Sequence, residues 1–249
     1  MPLTKSFLMW SQRIMLCTAR KYHKWLMAFV GIQFLFWSIT GMYMVIMDIH
    51  YIHGESLAKS EEAKIDLASV DYSIAKLAAD YPDASRVTLT QSMGKPLYSF
   101  INGEHGKVAI NAETGAVRPL VDEIEATEIA KYYYAMNHDI DSIKLIKTVT
   151  DMPAELSPRH LPVWRVTFEH YSTPTFYITQ QTGTLVAKRH DYWRLFDWMW
   201  RFHIMDYDDG ENVSNWFLFL VATLGLMAAI TGAILTYFRV FTSNKKEVI

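Results

Sequence analysis

Two stretches of twenty-three residues without a charge decide what this chain can fold into: Trp25 to Met47, "WLMAFVGIQFLFWSITGMYMVIM", and Trp216 to Phe238, "WFLFLVATLGLMAAITGAILTYF". Wound as α-helices at ~1.5 Å per residue, each reaches about 35 Å, enough to cross a hydrocarbon core of ~30 Å. The first is too long for the apolar core of a cleaved leader and ends in Met-Asp rather than at a small-residue cleavage site. The second is followed by a short basic tail. Both are expected to be retained as spans. The overall composition, 51% hydrophobic and 20% charged, describes a soluble globule when taken alone; the uneven distribution is what carries the information.

The flanks give an orientation. Lys5, Arg13, Arg20, Lys21 and Lys24 precede the first run with no acidic residue among them, and Arg239, Lys245 and Lys246 follow the second against Glu247. Positive flanks stay on the cytoplasmic side, so both termini are expected there. The segment between the runs carries twenty-five Asp and Glu against sixteen Lys and Arg and is expected outside. Cys17 is the only cysteine and lies on the inner side, so the outer domain must rely on its core rather than on a disulfide. Its acidic balance, with no basic patch, argues against nucleic acid as a partner.

The outer segment is long enough for one sizeable core, and it contains a repeat. In "VDYSIAKLAADYPD" the apolar residues Val70, Ile74, Leu77 and Ala78 are spaced for a helix, and "RVTLTQ", "PLYSFIN" and "KVAINAETGAV" follow as candidate strands. In the second half "ATEIAKYYYAMNHD" reads as a helix before "SIKLIKTVT", "VWRVTFEH" and "PTFYITQQTGTLVAK". Each copy closes on a hairpin, at Thr114-Gly115 and Thr182-Gly183, where glycine is needed for positive φ. The chain divides accordingly into 1–24, a basic cytoplasmic N-terminus; 25–47, the first span; 48–118, a juxtamembrane segment with the first repeat; and 119–189, the second repeat. After these come 190–215, an aromatic interfacial segment; 216–238, the second span; and 239–249, a cytoplasmic tail. The expected fold class is an α+β membrane protein with two transmembrane helices flanking an extracytoplasmic double repeat.

"ITG" occurs once in each span, at Ile39–Gly41 and Ile230–Gly232. Glycine in an apolar helix allows close backbone approach, and Thr40 and Thr231 can bond back to their own helices. Helix packing explains these motifs; room for a flat cofactor such as haem is the other reading.

Nine histidines are available. His105, His138, His160 and His170 fall at loop-like or strand positions of the outer domain and read as solvated or satisfied side chains. His23 and His50 are twenty-seven residues apart, about 40 Å on a helix, so one haem cannot bridge them. His50 and His53 follow the first span at once. His203 lies in "DYWRLFDWMWRFHIMDYDD", whose Trp193, Phe196, Trp198 and Trp200 with Arg194 and Arg201 suit the headgroup level. Two readings stand for His50, His53 and His203: interfacial residues bonded to headgroups or to Asp48 and Asp206, or a metal centre in which two of the three ligate the iron of a b-type haem. Zinc or copper there would need a carboxylate to complete the site. "MDYDDGEN" lacks the spacing of a calcium loop and reads as a solvated loop starting a helix, capped by Asn212 or Ser214. No Gly-rich phosphate loop, serine elbow or cysteine nucleophile is present for a hydrolase.

The repeats, together with "KYHKWL", "ITGMYM" and "RFHIMDYDDGENVSNWFLFLVATLGLMAAITGAILTYFR", resemble the PepSY-containing membrane proteins with PepSY-associated transmembrane helices, over nearly all residues from Tyr22 to Arg239. The resemblance implies an accessory or electron-transfer component of the inner membrane. It points to His23 and His203 as haem-binding positions, as in larger four-span relatives that reduce ferric siderophores; a haem on His23 would take its second ligand from a neighbouring subunit or partner. The other reading is a non-catalytic envelope module that binds a protein partner through its PepSY domain, adding it to an exposed strand edge. The expected partners are the lipid bilayer and either a membrane or envelope protein or a second copy of the chain.

Overall fold

The computed structural model describes residues 3–59, 65–103, 106–208 and 210–241. The chain is mixed α and β and divides into two compact units, Met1–Ile46 with Asp197–Ile249, and Met47–Phe196.

The first unit is helical. Helix α1 (Leu3–Ile46) runs unbroken through the basic segment because no glycine or proline interrupts Leu3 to Val30. Helix α6 (Trp216–Phe241) lies antiparallel to it: His23 meets Ala228 and Thr231, while Val30 stands 3.7 Å from the position a Cβ would take on Gly225. Ile14–Ile46 and Trp216–Val240 are long and apolar enough to cross a membrane. Most of their large side chains are exposed, Phe29, Phe34, Leu35 and Ile39 on α1 and Phe219, Leu226 and Ile230 on α6 among them. The start of α6 is capped by Asn215, whose Oδ1 accepts from the Leu218 amide at 2.8 Å while its Nδ2 donates to the Ile204 carbonyl at 2.9 Å. Asn212 and Ser214, the caps expected from sequence, instead bond to each other one turn earlier, with Asn212 Oδ1 accepting from the Ser214 amide.

The second unit holds two antiparallel sheets. After α2 (Ile49–Ile52) and α3 (Ile74–Asp80) come β1 (Ala84–Ser92), β2 (Lys95–Asn102) and β3 (Gly106–Asn111), ordered β1-β2-β3. Helix α4 (Glu123–Tyr133) precedes β4 (Ile140–Ile146), β5 (Val163–Phe168), β6 (Thr175–Thr179) and β7 (Leu185–Arg189), ordered β4-β5-β6-β7. The two halves part after their hairpins. Beyond Gly183 the β-branched "TLVAKR" resumes as β7. Beyond Gly115 the chain makes only the bridge Ile110 to Val117, because Pro119 has no amide to continue a ladder. Gly115 and Gly183 do sit at positive φ, 76° and 65°.

Tyr72, Leu77, Tyr98, Phe100 and Ile110 fill the core of the first sheet; Ile129, Val166, Phe168, Phe176 and Ile178, with Tyr134, fill that of the second. Tyr134 stacks on Phe168 at 3.8 Å and meets Phe176 edge-on at 5.7 Å, aromatic pairs worth about 0.5–1.5 kcal/mol each beyond their buried area. The halves are joined by polar links: Ser92 Oγ donates to the Gly183 carbonyl at 3.0 Å and the Met93 amide donates to the Tyr133 hydroxyl at 3.0 Å, while within the second half Trp164 Nε1 donates to the Val121 carbonyl at 2.8 Å. Helix α5 (Asp191–Ile204) follows β7, with its first residues in this unit and the remainder in the helical one.

Candidate functional site

Each Thr-Gly pair on the apolar helices receives a histidine. On α6, His23 Nδ1 lies 3.0 Å from the Ala228 carbonyl and 3.1 Å from Thr231 Oγ1. A carbonyl only accepts, so Nδ1 carries the proton and the lone pair of the neutral ring is left on Nε2. Thr231 donates its own hydrogen back to the Met227 and Ala228 carbonyls at 3.0 and 2.9 Å, leaving its oxygen to accept. The missing side chain of Gly232 makes the space: a Cβ there would stand 2.9 Å from His23 Cε1.

The same arrangement recurs on α1. His203 Nδ1 is 3.0 Å from Thr40 Oγ1, and Thr40, buried to 2% exposure, gives its hydrogen to the Phe36 carbonyl at 2.7 Å. The hydroxyl therefore accepts from His203 Nδ1, which again leaves Nε2 with the lone pair. A Cβ on Gly41 would lie 3.4 Å from His203 Cε1. Trp37 Nε1 donates to the His203 carbonyl at 2.6 Å and Phe36 stacks on Phe202 at 6.5 Å, so ring and backbone are both held. The glycines thus make room for imidazoles. Because His23 and Thr40 are seventeen residues apart on one helix, the two seats are about 25 Å apart along its axis. An apolar groove of ≈ 530 Å³ runs along α1 past Trp10, Ile14 and Tyr22 to Thr231, the residue whose hydroxyl holds His23.

His50 and His53 belong to the other unit. Both are exposed. Asp48 caps α2 by accepting from the Tyr51 amide at 3.0 Å, and this bond, ahead of the nearby His50 charge, lowers its carboxyl pKa. His50 Nδ1 meets Glu55 Oε1 at 3.0 Å, and that carboxylate raises the imidazole pKa, first by hydrogen bonding and then by charge. His53 closes α2, its amide donating to the Ile49 carbonyl at 2.9 Å. His203 lies in the helical unit with His23. Among the described residues no three His, Cys, Asp or Glu side chains gather into a group that could hold a metal ion. His105 lies outside the described residues.

Two arrangements are not visible in sequence patterns. His190, 1% exposed, donates from Nε2 to the Tyr51 carbonyl at 3.0 Å between the rings of Tyr51 and Tyr192, and its buried Nδ1 has no hydrogen-bond partner. Burial, opposed by hydrogen bonds to the backbone of Tyr51 and Ile52, lowers its pKa. His138 and His170 face each other with ring centres 4.9 Å apart. The strand pairing explains this: Ile140 pairs with Phe168, so the residue two before β4 and the residue two after β5 reach the same end of the sheet. Pairing "SIKLIKTVT" with "VWRVTFEH" is the signal that would bring them together. His160 is apart, accepting from Arg159 Nε at 3.2 Å, with its pKa lowered by burial and by the neighbouring Arg159 and Lys107 charges.

No family model, curated protein or solved structure matches this chain.

Proposed function

We propose that this chain is a two-span inner-membrane protein of PepSY type that serves as an electron-transfer or accessory component, with both termini cytoplasmic and the two-sheet unit outside. The outward-facing apolar side chains of α1 and α6 support the membrane placement, because a helix that is apolar all round must be covered by protein or by lipid. The basic flanks and the acidic middle segment support the orientation.

The observation that carries the cofactor reading is the matched pair of histidine seats. His23 and His203 are each oriented through Nδ1 by a threonine on an apolar helix, which leaves Nε2 basic and available, the arrangement that second-shell partners give to metal-binding imidazoles. A b-type haem would be held by these residues through an imidazole of His23 or His203, and the apolar groove lined by Thr231, the hydroxyl that holds His23, would add apolar cover. When bound, the iron would supply one-electron redox chemistry. The seats lie about 25 Å apart along α1, so each would belong to a separate centre, with any further ligand coming from a second copy or a partner protein. His50 and His53 belong to the other unit and are not part of this proposal.

The test is the absorbance spectrum of the full-length protein purified in detergent after expression with added haem, oxidised and reduced. A Soret band that weakens in His23→Ala and again in His203→Ala supports the reading. No Soret band in the wild type, or a band that neither substitution changes, overturns it.

A further inference from the structure

We propose that His138 and His170, with Met136, form a copper-binding site at one end of the four-stranded sheet, separate from the histidines of the helical unit. Two imidazoles that share one ion through Nε2, at a metal–nitrogen distance of about 2.0 Å, place their ring centres about 5 Å apart for a near-tetrahedral angle. The 4.9 Å between the ring centres of His138 and His170, with planes at 52°, matches that spacing.

The Nδ1 atoms are held by hydroxyls that can accept a hydrogen bond. His138 Nδ1 is 3.1 Å from the Tyr134 hydroxyl, and His170 Nδ1 is 2.8 Å from Ser172 Oγ. Each ring can therefore carry its proton on Nδ1 and turn the Nε2 lone pair to an ion, with Tyr134 and Ser172 as orienting partners. Where the Ser172 amide, 3.3 Å away, donates to His170 Nδ1 the proton sits on Nε2, so binding an ion through Nε2 moves that proton to Nδ1.

Met136 supplies the preference for copper. Its Sδ accepts at 3.9 Å from the same Tyr134 hydroxyl that holds His138, and its 39% exposed, unbranched side chain has the rotatable bonds to exchange that contact for an ion. Two imidazoles and a thioether are a soft donor set, which selects Cu(I) over hard cations. Asp139 and Glu169, each next to one of the histidines and joined by the Glu169 amide to the Asp139 carbonyl at 2.8 Å, add negative charge at this end of the sheet.

The experiment is equilibrium dialysis of the full-length protein in detergent against buffered Cu(I) under a reductant, with metal analysis, in a Cys17→Ser background because the exposed thiol would compete for a soft ion. One copper per chain is expected, with affinity reduced at least tenfold in His138→Gln and in His170→Gln. Met136→Leu is expected to weaken Cu(I) at least tenfold while leaving Zn(II) binding unchanged. Equal copper uptake in the wild type and both histidine variants overturns the site; so does Cu(I) affinity that Met136→Leu leaves untouched. X-ray absorption at the copper edge needs no variant of the site: two imidazole nitrogens and one sulfur support it, and a sulfur-free shell sinks it.

Discussion

Arg194 grips Glu155 at two points, Nε to Oε2 at 2.7 Å and Nη2 to Oε1 at 3.0 Å, and so ties the first turn of α5 to the loop before β5. The Tyr177 hydroxyl adds a third bond to Oε1 at 2.6 Å, while Arg194 Nη1 reaches Thr173 Oγ1 and Asp191 Oδ1, both at 2.8 Å. Both side chains are mostly withdrawn from water, with 27% of Arg194 and 10% of Glu155 exposed. Breaking such a pair from one side strands the other charge, so Arg194→Ala is expected to cost about 2–4 kcal/mol in a denaturant titration of the full-length protein.

Glu155 also sets an acid limit. Burial on its own would raise its carboxyl, but the bonds from Arg194 and Tyr177 and the Arg194 and Arg165 charges together bring it below 4.5. The unfolded chain therefore takes up this proton first as pH falls. The stabilisation is complete above about pH 4.5 and is lost as pH drops through the depressed folded value. Thermal melts in acid should show a shallower decline for Glu155→Gln than for the wild type.

His190 acts at higher pH. Burial lowers its pKa from 6.5, so below about pH 6.5 the unfolded chain gains a proton that the folded chain refuses, and stability falls with pH from that point. His190→Gln, which can keep a donor to the Tyr51 carbonyl, is expected to remove the part of the decline that sets in below about pH 6.5. Melting temperatures across that window check it; an unchanged slope would contradict the assignment.

The helical glycines should differ in a fixed order. At Gly232 a Cβ would press to 2.9 Å on His23 Cε1, at Gly41 it would rest at 3.4 Å from His203 Cε1, and at Gly31 nothing lies within 4 Å. Gly232→Ala is expected to lower stability by about 1–3 kcal/mol, Gly41→Ala to be nearly neutral, and Gly31→Ala to gain about 0.5 kcal/mol from helix propensity. Melts of the three variants in one detergent give the ranking directly.

The loop glycines test backbone against space. At Gly106 (φ 68°) nothing lies within 4 Å of where a methyl group would stand, so Gly106→Ala should cost only the left-handed penalty of about 1–2 kcal/mol. At Gly115 (φ 76°) a Cβ would overlap the ring of Tyr72, whose hydroxyl is fixed on Asp80 at 2.6 Å and pushed up to about 12 chiefly by that bond. Gly115→Ala is expected to cost more than about 3 kcal/mol, since both penalties apply. Denaturant titrations of the two variants side by side separate the terms.

The two long apolar helices and most strands are legible in the sequence because their signals are local: uninterrupted apolar runs, and alternation that ends at Thr-Gly turns. The contents of the spaces at the two "ITG" motifs are not. A glycine in a helix announces that something comes close, but whether that is a backbone, a cofactor or the imidazole of His23 or His203 depends on residues roughly 160 or more positions away in the chain. His138 and His170 are hidden for a related reason. Each is ordinary in its own loop, and only the pairing of β4 with β5 makes them neighbours. Arg194 reads in sequence as one of the cations of an interfacial segment, whereas it serves the sheet through Glu155.

Helix α1 has no break between His23 and Thr40, so it works as a ruler. Adding or deleting one residue in that interval would swing one end against the other by about 100°, and an imidazole could then dock at one motif only by leaving the other. Length changes that the hairpins could absorb are therefore forbidden along this interval, where angular phase matters more than the identity of any single outward-facing apolar side chain.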